Sequence, residues 1–112
     1  MTFRVTAAHD QDAKLALNRV TGLASEAAEF VREELGEASE VIGFGSWAKG
    51  TARPHSDIDL AVIPSGEATS RDWGRLRERI EELPTLYSFD LVDISEASET
   101  LRSEIQQHGV RV

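Results

Sequence analysis

A chain of 112 residues with 40% hydrophobic content suffices for one globular domain that buries roughly two-thirds of its unfolded surface, and leaves no room for a second. With no cysteine there are no disulfides and no thiolate chemistry; no apolar run nears the roughly 20 residues of a membrane span, and polar Thr2 and Arg4 follow Met1, so a cytoplasmic location is expected. Acidic residues outnumber basic ones 20 to 12, a formal charge of -8 that repels phosphate backbones and argues against direct nucleic-acid binding, while leaving open a small anion brought in with a divalent metal.

In chain order, residues 13–35 carry Leu15, Val20, Leu23, Ala27, Phe30 and Val31 near the helical period, which predicts a helix with a break at Thr21-Gly22 and a stop at Gly36. "EVIGFG", Glu40 to Gly45, and "DIDLAVIP", Asp57 to Pro64, read as two strands bounded by turn formers. A short helix opens at Ser46. From Ser70 to Leu83 the spacing of Trp73, Leu76, Ile80 and Leu83 predicts a helix with one buried face, ended by Pro84. Its arginines at 71, 75 and 79 form a stripe expected to be solvated, in weak ion pairs with Asp72, Glu78 or Glu82. "LYSFDLVDI", Leu86 to Ile94, is a third strand, and Ser95 is positioned to cap a last helix stopped by Gly109. The order describes an α/β (α+β) fold: a small mixed sheet with helices packed on it, in one domain over 1–112, with a helical segment (1–36), a core (40–94) and a C-terminal helix (95–112).

Aspartate is depleted in strands, so the start of the second strand asks for an explanation. Residues i and i+2 of a strand share a face, which sets Asp57 beside Asp59; if the third strand pairs next to the second, Asp90 joins them. Two like charges at about 4 Å repel by roughly 4 kcal/mol at an effective dielectric of 20, and a divalent cation removes the conflict. Oxygen-only ligands favour a hard ion such as Mg²⁺. Gly43 and Gly45 close the first strand just before Ser46, so backbone N–H groups at that turn offer a place for phosphate oxygens. Carboxylate-held metal and a triphosphate at Gly45-Ser46 together describe phosphoryl or nucleotidyl transfer.

These residues resemble the minimal nucleotidyltransferases of the DNA polymerase β superfamily. The pattern there is Gly-Ser, about ten residues, Asp-x-Asp, and a third acidic residue on a later strand; here it is Gly45-Ser46, Trp47 to Ser56, Asp57-Ile58-Asp59, and Asp90. Trp47 stands where many members carry a basic residue. The resemblance implies a polymerase β-like core in which Asp57 and Asp59 bind two Mg²⁺ ions and Asp90 completes the metal site and helps deprotonate the nucleophile. Gly45 and Ser46 would grip the triphosphate of ATP, with Lys49 lending a charge. Short members of this kind are paired with HEPN-type ribonuclease toxins, as antitoxins that move AMP from ATP onto a toxin tyrosine, and the chain has no residues to spare for an acceptor-binding domain. Rival readings are a non-catalytic module that neutralises its partner by binding, and transfer to a small molecule or tRNA.

Other residues carry blander expectations. Asp93 falls on the opposite strand face from Asp90 and reads as a surface charge or a helix cap, His55 as a solvated loop histidine, and Trp73 as core.

Overall fold

Helical periodicity near the N-terminus is realised as one continuous helix, α1 (Gln11–Leu35), in the computed structural model, which describes residues 11–112. The expected break at Thr21-Gly22 does not occur. The Thr21 hydroxyl donates to the Leu17 carbonyl one turn back (2.9 Å), so the helix satisfies it internally, and Val20, Leu23, Ala24 and Ala27 on either side are buried. Packing outweighs local propensity here. Leu15, placed by its spacing among the apolar positions, is 61% exposed, and Leu17 is buried in its stead. Gly36 ends the helix as expected: its φ is 112° and its N–H donates to the Arg32 carbonyl (3.1 Å), a turn that favours glycine.

The sheet has four strands in the order β3-β2-β1-β4. β1 (Glu40–Phe44) pairs antiparallel with β2 (Ile58–Ile63), which pairs parallel with β3 (Phe89–Asp93). The mixed sheet is the one anticipated. β4 (Val110–Arg111) is an addition, antiparallel to β1 through Ile42↔Arg111 and Gly43↔Val110; two residues are too few for alternation to announce a strand. Gly43 therefore lies inside the sheet, between β2 and β4, and only Gly45 belongs to the turn that follows.

Between the strands lie α2 (Gly45–Lys49) and α3 (Ser70–Glu81). A reciprocal cap starts α3: the Thr69 hydroxyl accepts from the Asp72 N–H (3.1 Å) and the Asp72 carboxylate from the Thr69 N–H (3.0 Å), satisfying two otherwise orphan donors. The last helix, α4 (Glu99–His108), is capped by Ser98, whose hydroxyl accepts from the Leu101 N–H (3.2 Å). Ser95 was expected there. It falls instead in a single 3-10 turn, Ile94–Glu96, where its N–H and hydroxyl both donate to the Asp93 carboxylate (3.0 and 2.8 Å). Asp93 is thus a cap, as anticipated, but of this turn.

Strand alternation divides the core. Val41, Ile58, Leu60 and Val62 face α1 and α3 together with Val20, Val31, Leu76 and Ile80. On the other face Phe44 and Ala61 meet Ile105 of α4, with Ile42, Val92 and Leu101 around them. The arginine stripe on α3 is not simply solvated. Arg75 reaches Asp72 (2.7 Å) but also Glu34 of α1 (3.3 Å), and Arg79 pairs with Glu33 and Glu34 (2.6 and 3.0 Å) while lying over the Phe30 ring, 4.1 Å from its centroid. Neither Glu78 nor Glu82 takes part in these pairs, because the helix turns Arg75 and Arg79 towards α1. Trp73, expected in the core, is only half-buried, with the Arg77 guanidinium 5.7 Å from its ring.

Candidate functional site

Parallel pairing of β2 with β3 sets Asp59 directly beside Asp90, and neighbours in register point to the same face. Asp57 lies just before β2, which starts one residue later than expected from the sequence, and its carboxylate is close enough to act on the charge of Asp59. The three side chains named by the sequence therefore come together at the N-terminal end of β2 and β3, on the side of the sheet that α4 covers. Asp57 and Asp90 are exposed and Asp59 is half-buried.

Across the sheet from Asp59 stands Phe44, the last residue of β1, and the chain then turns through Gly45 into α2. Gly45 adopts φ 75°, and a Cβ there would lie 3.0 Å from the Asp59 Cγ and closer still to a carboxylate oxygen. The turn needs glycine for its backbone angle and again for space. The Asp59 carboxylate consequently lies against the first residue of α2. Among the described residues no side chain caps that helix, so its leading N–H groups, which turn beside the Asp59 carboxylate, have no capping acceptor there.

Charge accumulates here. Burial, then the carboxylates of Asp90, Asp57 and Glu104 in that order, push the Asp59 carboxyl from the ordinary 3.8 up to about 6. Lys49, the last residue of α2, is ion-paired to Glu104 of α4, so α4 brings both a fourth acid and a partner for the lysine. Among the described residues no three His, Asp or Glu side chains close in far enough to enclose an ion by protein groups alone. The donor set still fits a hard cation: all oxygen, mutually repelling, and open to solvent at Asp57 and Asp90. A Mg²⁺-class ion needs only one or two carboxylates and fills its shell with water and substrate phosphate.

Trp47 explains how the three segments are held. It is buried, its indole N–H donates to the Ser56 carbonyl (3.0 Å), and its ring meets Tyr87 edge-on at 6.1 Å. Ile58 N–H donates to the Ser88 carbonyl (2.8 Å), so Asp57 is bracketed by fixed neighbours. Sequence reasoning noticed Trp47 only as a departure from a motif, and Glu104 carried no signal, being one of several acids on α4.

Besides a hollow of about 490 Å³ beside Lys49 and Glu104, two others adjoin the site. One, of about 460 Å³, runs along the outer edge of β3 between Arg77 and Tyr87 and reaches Asp90, though neither Asp57 nor Asp59 lines it. His55 faces the other, of about 660 Å³, with Arg19, Leu23, Leu86 and Tyr87.

Comparison with known proteins follows the same lines. Residues 27–112, which include every site residue above, match the family model for "Polymerase beta, Nucleotidyltransferase". Over 67 residues the chain is 36% identical to "Probable protein adenylyltransferase MntA" of Haemophilus influenzae, covering 60% of this chain and 59% of that one; it spans less than two-thirds of that relative's length. A chain in the crystal structure of a toxin-antitoxin with AMP-PNP superposes with a TM-score of 0.63 at 25% identity, over 79% of this chain and 70% of that chain. One in the structure of a tri-AMPylated Shewanella oneidensis HEPN toxin with its MNT antitoxin shares the fold, with a TM-score of 0.60 at 20% identity over 82% and 70% of the two chains. No helix among the described residues is long and apolar enough to cross a membrane.

Proposed function

The chain belongs to the polymerase beta nucleotidyltransferase family, and from that membership we propose that it transfers AMP from ATP to a hydroxyl of a protein partner, a tyrosine of a HEPN-type toxin, and acts as the antitoxin. The observation that carries the reading is the register that places Asp90 beside Asp59, with the Asp57 charge acting on Asp59 and the Gly45 turn against the Asp59 carboxylate. That arrangement has a place for metal next to a place for phosphate. The relative from Haemophilus influenzae bears the name of a protein adenylyltransferase, and the toxin-antitoxin neighbour holds AMP-PNP, an analogue of ATP.

In the reaction the acceptor oxygen attacks the α-phosphorus. The new O–P bond forms as the bond from that phosphorus to the β-phosphate's bridging oxygen breaks, AMP remains on the acceptor, and pyrophosphate leaves. Asp57 and Asp59 would hold two Mg²⁺ ions, which when bound neutralise phosphate charge and activate the acceptor oxygen. Asp90, exposed at the sheet edge, takes the hydroxyl proton. Backbone N–H groups at Gly45 and Ser46 hold the triphosphate, and Lys49 reaches it by exchanging its ion pair with Glu104.

Intact-mass spectrometry of the partner toxin, after incubation with this protein, ATP and Mg²⁺, tests the reading. A gain of one or more AMP masses is expected, lost with EDTA and with Asp59→Asn. An unmodified toxin that is nevertheless neutralised by the triple variant Asp57→Asn, Asp59→Asn, Asp90→Asn would replace chemistry with binding.

A further inference from the structure

We propose that Trp47 is the positioning residue for Asp57, a role that rests on the metal-and-nucleotide reading of this site. The three carboxylates are not equally supported. Asp59 sits inside both ladders, opposite Phe44 on one side and Asp90 on the other. Asp57 lies outside both: β2 begins at Ile58, whose N–H donates to the Ser88 carbonyl (2.8 Å) and so fixes the peptide after Asp57, while among the described residues no strand pairing reaches the peptide before it. The loop that delivers it is held locally by its own turn, in which the Ser56 N–H donates to the Arg53 carbonyl (3.0 Å) and the Ser56 hydroxyl accepts from the Arg53 N–H (2.9 Å). Those bonds set the shape of the turn, not its place relative to α2.

The indole of Trp47 supplies that placement. Trp47 is 6% exposed, and a buried indole N–H needs a partner. The partner is the Ser56 carbonyl (3.0 Å), which shares a rigid peptide plane with the backbone nitrogen of Asp57. Fixing that oxygen fixes the plane from which the Asp57 side chain departs. Since Trp47 is two residues beyond Gly45, the same indole ties the carboxylate to the phosphate turn. Its edge-on contact with Tyr87, three residues before Asp90, ties in the third segment.

Trp47→Phe keeps an aromatic ring but removes the donor. Calorimetric titration with AMP-PNP should show affinity in excess Mg²⁺ weakened about tenfold, and affinity in EDTA within twofold of wild type, because the metal-free mode does not use Asp57. A general loss of packing would lower both. A second measurement needs no variant: of the two tryptophan indole N–H signals in the nitrogen–proton NMR spectrum, that of Trp47 should exchange slowly with water and shift when Mg²⁺ joins AMP-PNP, while that of Trp73 on α3 stays put. Equal affinities for wild type and Trp47→Phe in Mg²⁺, or a Trp47 indole that exchanges freely and ignores the metal, would overturn the positioning role. Wild-type protein that binds no AMP-PNP with Mg²⁺ would remove the nucleotide reading and this inference with it.

Discussion

At the scale of single residues, the site turns on one glycine and one aspartate that leave no room for anything larger. Any side chain at Gly45 would adopt a left-handed backbone (φ 75°) and collide with the Asp59 carboxylate. Gly45→Ala is therefore expected to cost about 1–3 kcal/mol through backbone strain, read by urea denaturation, and to weaken AMP-PNP binding by displacing the acid. The aspartate has its own signature in pH. Its folded carboxyl, held near 6 by burial and by Asp90, Asp57 and Glu104, lies above the ordinary 3.8, so between roughly pH 4 and 6 the folded chain keeps a proton that the unfolded chain has lost. Stability must fall as pH rises through that window. Because the group is half exposed, the loss is on the order of 1 kcal/mol after allowing for solvent screening. Denaturation of metal-free protein at pH 4.5 and 6.5 should show this loss in wild type and not in Asp59→Asn. If both proteins change alike, the strain lies elsewhere.

Elements show which parts of the molecule were legible in the sequence and which were not. The adjacency of Asp59 and Asp90 is legible because it needs only the pairing of β2 with β3, whereas Asp57, read from the sequence as the first strand residue, lies just outside β2. Local propensity at Thr21 and Gly22 points to a break in α1 that does not form, because the neighbouring Val20, Leu23 and Ala24 are buried and hold the helix straight through. The cap of α4 falls three residues beyond the Ser95 that the sequence suggests, because Ser95 and Ser98 are chemically identical candidates and only the 3-10 turn between Ile94 and Glu96 decides between them. Arg102 secures that turn by donating to the carbonyls of Ile94 (3.2 Å) and Ser95 (2.9 Å), contacts that no local pattern encodes. Ser98→Ala should therefore cost about 1 kcal/mol, the usual value of an N-cap. Ser95→Ala leaves the Asp93 carboxylate still bonded to the Ser95 N–H and should cost less. Thermal denaturation of the two variants checks the order.

For the molecule as a whole, the two faces of the sheet are unequal, and the site lies on the weaker one. α1 and α3 bury a broad set of side chains, with Val20, Val31, Leu60 and Leu76 fully excluded from solvent; α4 rests on Phe44 and Ala61 through one buried residue, Ile105. Cooperative units with few buried contacts open at lower free energy than the rest. Ile105→Ala should cost about 2–4 kcal/mol, and the cost should be local. Hydrogen exchange is expected to quicken across α4 and across β4, which follows it directly and among the described residues pairs with β1 alone, while amides of α1 and β2 keep the order of protection seen in wild type. The consequence reaches the site because α4 carries Glu104, the partner of Lys49 and a neighbour of the Asp59 charge. A loosened α4 frees the lysine and lowers the negative potential at Asp59 together, so the variant's Asp59 should titrate closer to the ordinary carboxylate range, read by carbon-13 NMR of the side-chain carboxyls. Exchange that quickens uniformly over both faces would instead mean that the sheet and the helices on both its sides open as one unit.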